Sequence, residues 1–182
     1  TSGSAGAPQL VTLVCNLRRG ACSALLAMVA QLMPAYRDEL RVGWAPWFDP
    51  DGPDATTTGL FHDAVACADA QGAGWAWLDA ADASATADGP SLAALWHRLD
   101  ALIDTLALRR ADFYRCVAVH AGQSVRFARR AIVAGLDASP ALLVGDRVVF
   151  GGPVDAHGLA ELLADAAAPG LLARVSEAAS AR

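Results

Sequence analysis

Lysine is absent from this chain. All 14 basic residues are arginines, scattered among 19 acidic residues, and the formal net charge is −5. No basic tract exists to neutralise a run of phosphates, which excludes nucleic-acid binding of that kind. Long apolar runs are missing too. Although 54% of the residues are hydrophobic, none of the stretches approaches the roughly 18 uninterrupted apolar residues that a membrane-spanning helix requires. The four cysteines, Cys15, Cys22, Cys67 and Cys116, include no C-x-x-C pair and no histidine at zinc-ligand spacing, which argues against a structural metal. The four histidines are dispersed at positions 62, 97, 120 and 157. With no acid or metal ligand at a telling spacing, they are expected on helix surfaces or at caps rather than as general bases. No pattern calls for a cofactor. The opening segment, TSGSAGAP, lacks the charged and apolar regions of a signal peptide. The expectation is the start of a mature chain from which a signal has been removed.

What is present suits one domain, or a domain with an insertion, at 182 residues. Residues 10–14 read as a short buried strand, followed by a polar loop that ends at Gly20. Residues 21–36 are rich in Ala, Leu and Met with Pro34 near the end, which predicts a helix with Cys22 in its first turn. A second apolar run, 40–44, precedes a segment rich in Pro, Gly and Asp, 45–59, expected to be irregular. Within 91–106, Leu92, Leu95, Trp96, Leu99, Leu102, Ile103 and Leu106 follow the spacing of one helix face, behind Pro90 and Ser91. Residues 61–71, 112–119 and 123–134 read as further helices, the last closed by Gly135. Two short strands, 141–144 and 147–150, are joined by Gly145 and Asp146 as a hairpin turn. An amphipathic helix over 153–167 packs Leu159, Leu162 and Leu163, and a terminal one is expected over 170–181.

The resulting order is β, α, β, a helical block, ββ, α. Ser139-Pro140-Ala-Leu-Leu-Val-Gly-Asp-Arg-Val-Val-Phe-Gly-Gly resembles the proline-preceded strand and hairpin of DsbA-like thiol–disulfide oxidoreductases. Phe61-His-Asp-Ala through Gln71-Gly-Ala-Gly-Trp75, and Asp112-Phe-Tyr-Arg-Cys116, are similar to helical parts of that family's insertion. The resemblance covers about residues 10–167. It implies an α/β fold, a thioredoxin-like mixed sheet with an inserted all-helical domain. Residues 9–54 and 135–182 would form the thioredoxin-like part and 55–134 the insertion. It also implies a cis Ser139–Pro140 bond, with Ser139 and Pro140 as substrate-binding residues, and a polypeptide thiol or disulfide, or glutathione, as partner. An extracytoplasmic, periplasmic location goes with it if a signal peptide has been removed.

The family's C-x-x-C is not here. The register that best preserves the interval from Cys22 to Tyr36 and Leu40 sets Cys22 at the second cysteine and Arg19 at the first; a slipped register makes Cys22 the first and Leu25 the second. Asn16 falls about where the family commonly has an acid. Cys22 and Arg19 are therefore the candidate catalytic residues: a helix N-terminus and neighbouring Arg18 and Arg19 favour the thiolate, the reactive species. One thiol can form mixed disulfides but not release them internally. Against this stand a simply buried Cys22 and a C-x6-C disulfide from Cys22 to Cys15, which needs Cα atoms within about 7 Å. Cys67 and Cys116 lie on segments that can touch, with core packing preferred over a disulfide. Trp44, Trp47, Trp75, Trp77 and Trp96 are expected in the core at the seam between the lobes, or in part facing a peptide groove. Arg126, Arg129 and Arg130 read as a solvated helix face. Three functions follow: monothiol disulfide chemistry at Cys22, a non-catalytic peptide- or protein-binding module, and a glutathione-linked isomerase or transferase.

Overall fold

A computed structural model describes residues 9–17, 20–36, 38–83, 91–136, 139–144, 147–151 and 155–167. Strand β1 (Gln9–Cys15) leads into helix α1 (Gly20–Leu32), a 3-10 turn at Met33–Ala35, and strand β2 (Leu40–Pro46). Pro34 ends α1 as its missing N–H requires. Helices α2 (Ala55–Asp69), α3 (Gly74–Ala83), α4 (Leu92–Thr105), α5 (Arg110–His120) and α6 (Gln123–Val133) follow. Strands β3 (Ala141–Val144) and β4 (Arg147–Gly151) and helix α7 (Ala156–Ala167) complete the order. The four strands form one mixed sheet in the order β2-β1-β3-β4, with β1 parallel to β2 and antiparallel to β3. The expected thioredoxin-like sheet with its helices between β2 and β3 is therefore present. The Gly145–Asp146 turn, Arg18, Arg19 and the terminal helix expected over 170–181 lie outside the described residues.

The alternation of β1 decides where the site forms. Val11, Leu13 and Cys15 point to the face covered by α1 and join one core with Leu25, Leu26 and Val29; Val14 points to the other face, with Ala45, Leu136 and Ala141. Because the strand period is two, Cys15 is on the side where α1 begins, and Cys22 sits in the first turn of that helix. The sheet ladder ends there for a chemical reason. Cys15 pairs with Pro46 on one side, and on the other the last β1–β3 pair is Val14 with Ala141, so the next residue of β3's approach is Pro140. Neither proline has an N–H to continue a ladder.

Two helix predictions need correction. The segment 45–59 is not irregular throughout, because α2 begins at Ala55. Its Gly59 is tolerated inside a helix because α6 crosses at that point: a Cβ on Gly59 would lie 2.7 Å from Val125 Cγ2. Helix α3 falls inside the helical block expected over 55–134, but the sequence did not mark it as a separate helix. Its alanines carry no clear stripe, yet Trp77 is fully buried and stacks on Phe113 at 5.1 Å, so tertiary contact defines it. Helix α4 is as predicted, with Ser91 as its N-cap accepting a hydrogen bond from the Ala94 N–H at 3.2 Å. Helix α6 closes at Gly135, whose φ of +86° is open to glycine.

Candidate functional site

Cys22 is not an isolated thiol. Its Sγ is bonded to that of Cys15 across the β1–α1 junction, with Cα atoms 5.4 Å apart, inside the reach a disulfide needs. The monothiol expectation is corrected on this point. Cys67 of α2 and Cys116 of α5 are likewise a disulfide, with Cα atoms 5.6 Å apart, rather than the simple packing pair preferred from the sequence. Cys15–Cys22 is the C-x6-C alternative that the sequence left open, whereas Cys67–Cys116 depends on the contact of α2 with α5, which spacing alone does not reveal.

The Cys15–Cys22 bond is enclosed. Both residues are about 1% exposed or less, and Leu17, between them in the chain, is buried in the same core. The strand end is held from two directions. The Trp47 N–H donates to the Cys15 carbonyl at 3.1 Å, and the Trp47 indole Nε1 donates to the Leu136 carbonyl at 3.2 Å, tying the end of β2 to the segment that leads to β3. Ser139–Pro140 is a cis peptide bond, as expected, with Ser139 half-buried and Pro140 buried. Cys15, Cys22 and Pro140 are thus brought to one end of the sheet.

The sequence reading missed His62. It was expected at a helix surface or cap, but it is 2% exposed, packed among Trp44, Phe48 and Phe61. Its Nε2 accepts a hydrogen bond from the Leu17 N–H at 3.3 Å. An accepting nitrogen carries no proton, so the ring is the neutral Nδ1–H tautomer. This histidine of α2 fixes the segment between the two cysteines. Asp63, beside it, faces a different partner. The carboxylate, 3% exposed, accepts from the Gly122 N–H through Oδ2 and the Ser124 N–H through Oδ1, both at 2.7 Å. That is a charged cap on the N-terminus of α6, supplied by another helix. The dipeptide His62–Asp63 lies in a segment similar to the insertion of DsbA-like proteins, but nothing in one sequence says where its two side chains point.

Between the β2 end and helices α2, α3 and α6 lies a cavity of about 420 Å³. Trp44, Trp75, Val65, Leu78 and Phe127 give it apolar walls, and His62 and Asp63 form part of its lining. The tryptophans divide accordingly: Trp77 is core, whereas Trp44 and Trp75 face this cavity. Among the described residues no group of three His, Cys, Asp or Glu side chains is placed to hold a metal ion. No described helix is long and apolar enough to cross a membrane.

No family model and no curated protein matches the sequence. Solved structures do match the fold. Alpha-DsbA1 from Wolbachia pipientis aligns with 14% identity and a TM-score of 0.71, covering 96% of this chain and 92% of that one. Oxidised BdbD from Bacillus subtilis aligns with 11% identity and a TM-score of 0.71, covering 91% of each. A thioredoxin-like oxidoreductase from Silicibacter pomeroyi DSS-3 aligns with 19% identity and a TM-score of 0.64, covering 96% and 90%. The fold is DsbA-like. At these identities it is the architecture that is shared, and in this chain of DsbA-like fold the disulfide at the strand–helix junction is closed between Cys15 and Cys22, with six residues between them where C-x-x-C has two.

Proposed function

We propose that this chain is a thiol–disulfide oxidoreductase that works through the Cys15–Cys22 pair, in place of the single thiol read from the sequence. One observation carries the reading: a disulfide joins the end of β1 to the first turn of α1, beside Pro140. Cys22 is the sulfur at the helix N-terminus, where a thiolate is favoured, and Arg19 precedes it in sequence. Ser139 and Pro140 supply the backbone against which an extended polypeptide substrate is laid. The proposed unit of chemistry is the strand-bearing part, 9–54 with 135–182, and residues 55–134 form the helical insertion.

The exchange balances without a further reagent. A substrate thiolate attacks one sulfur of the pair, breaking the Cys15–Cys22 bond and forming a mixed disulfide. The second substrate thiolate then attacks the substrate sulfur of that bond. The substrate leaves as a disulfide, two electrons remain on the protein, and Cys15 and Cys22 take up protons as thiols. Because both sulfurs are buried, the segment between them, pinned by His62, must move before attack.

That burial favours a second reading, a peptide-binding module in which the disulfide is a staple. Single-turnover exchange separates the two. Oxidised protein is mixed with one equivalent of a reduced two-cysteine peptide, and thiols are located by alkylation and mass spectrometry. The redox reading expects one peptide disulfide per Cys15–Cys22 pair opened, retained in a Cys67→Ala/Cys116→Ala variant. No exchange in the folded protein, with the same bond reducible after unfolding, overturns it in favour of the module.

A further inference from the structure

Beyond Cys15 the chain leaves the sheet. Pro46 and Pro140 flank the end of β1 and donate no N–H, so the next backbone groups find partners outside the ladder. The Leu17 N–H finds its partner on the helical insertion, at His62 Nε2 of α2, 45 residues along the chain. Leu17 is 1% exposed and stands between the two cysteines in sequence, so this bond ties down the segment that a reagent must displace to reach either sulfur. His62 is buried but not sealed off. It lines the cavity together with Ala66, Asp69 and Gln123, which are exposed, so a proton has a path to the ring. The choice of acceptor has a chemical consequence. A carbonyl oxygen accepts throughout the ordinary pH range, whereas an imidazole nitrogen accepts only while the ring is neutral and becomes a donor once it is protonated.

We infer that His62 is a positioning residue for the Cys15–Cys22 pair, a latch that holds the segment between the sulfurs shut as the neutral ring and releases it on protonation. The sign follows from the bond. The latched state requires an unprotonated Nε2, so the released state binds the extra proton and is favoured as the pH falls. With the ring protonated, Nε2–H and the Leu17 N–H face each other as two donors, and the segment turns away. Trp44 of β2, Phe48 and Phe61 pack on the ring, and none of them titrates in this range. Arg98 of α4 lies over the Phe61 ring, 4.4 Å from its centre. Asp63 and Asp69 of α2 and His120 at the end of α5 share the cavity with His62, whereas its lining residues from β2, α3 and α6 carry no charge. Of these, Asp63 is engaged by the N–H groups of Gly122 and Ser124, and His120 Nδ1 is 3.0 Å from Gln123 Oε1. The latch rests on the redox reading, for which it sets when the buried pair is open to attack.

The test follows the opening of both disulfides of the full chain by a water-soluble phosphine from about pH 7.5 to about pH 5, which spans the ordinary imidazole value of about 6.5. The reduction balances: the S–S bond breaks, both sulfurs end as thiols, and water supplies the oxygen of the phosphine oxide. After removal of the phosphine the protein is unfolded and alkylated, and mass spectrometry reads Cys15 and Cys22 against Cys67 and Cys116. The second disulfide is the internal standard for the reagent's own pH dependence and for general loosening of the fold. The ratio of the two rates is expected to rise at least about fivefold toward pH 5, since losing a hydrogen bond of ordinary strength shifts a closed-to-open equilibrium about two- to tenfold and the opposed donors add to it. His62→Gln keeps an acceptor that does not titrate, so its ratio should stay low and flat. His62→Phe keeps none, so its ratio should be high and flat, and His120→Gln should respond as the unaltered chain does. A flat ratio in the unaltered chain, an equal pH response in His62→Gln, or loss of the response in His120→Gln overturns the inference, and the two glutamine variants decide it if His62→Phe fails to fold. Peptide exchange is scored separately. A flat ratio beside successful exchange removes the latch alone, and a pH response beside failed exchange removes the redox reading and leaves the latch standing.

Discussion

Replacing Asp63 should be among the most damaging single changes outside the apolar core. Its carboxylate makes two 2.7 Å bonds to the first free N–H groups of α6, and the bond to Ser124 is buried. Hydrogen bonds to a charged group contribute about 1.5–3 kcal/mol each, and an N–H left unsatisfied in the interior costs about 1–3 kcal/mol. Favourable interaction with the helix end adds about 0.3–1 kcal/mol. Asp63→Ala removes all of these together, and since the contributions overlap, a loss of about 3–5 kcal/mol is expected. For a chain of this length that is a fall in Tm of about 10 °C. Asp63→Asn keeps the shape and one acceptor but turns an N–H group toward another N–H, so about half the loss is expected. Urea denaturation with the disulfides intact measures both, and amide exchange at Gly122 and Ser124 localises the effect, since those two protons should exchange faster in each variant. A loss under about 0.5 kcal/mol for Asp63→Ala, within the range of ordinary surface changes, would refute the argument that this carboxylate anchors α6 on α2.

Removing Cys67–Cys116, which links positions 49 apart, should cost about 4 kcal/mol by the chain-entropy relation, against about 2.5 kcal/mol for Cys15–Cys22 at a separation of 7. Denaturation midpoints of the two paired-alanine variants check the order, and a larger loss from the short loop contradicts it. Gly59→Ala should lower stability by about 1–3 kcal/mol despite the better helix propensity of alanine, because its Cβ meets Val125 Cγ2 at 2.7 Å; a Val125→Ala change in the same chain should recover most of the loss, and a neutral Gly59→Ala would show that α6 gives way. Tyr114 is pushed up to about 12 by burial and by its hydrogen bond to Asp100, from an ordinary 10.0. With the folded value raised, its contribution to stability is complete below about pH 10 and is lost as the pH rises through about 12. Tyrosinate absorbance should therefore show a late step that Tyr114→Phe abolishes; ionisation of Tyr114 near 10 would count against the contact.

Local chemistry alone was enough to place most elements. The short apolar run of β1, the 3-4-7 stripe and Ser91 cap of α4, Pro34 after α1 and Gly135 after α6 are all requirements that a short segment imposes on itself. Cys22 in the first turn of a helix after a strand, with Ser139 and Pro140 before another, was legible for the same reason. Which partner each cysteine takes was left open, with both disulfides named only as alternatives to buried thiols. Cys15 and Cys22 meet because the period of β1 and the start of α1 bring two side chains to one face, and Cys67 meets Cys116 because α2 and α5 cross there. Gly59 looked like a loop residue until α6 was seen to need its missing Cβ. His62 and Asp63 are neighbours in sequence, yet one holds the segment between the cysteines and the other caps a helix about sixty residues on. A residue's own conformational preference acts over a few positions and leaves a local pattern, whereas a disulfide, a buried hydrogen bond or a cavity wall is a relation between segments. Only the packed chain sets their distance.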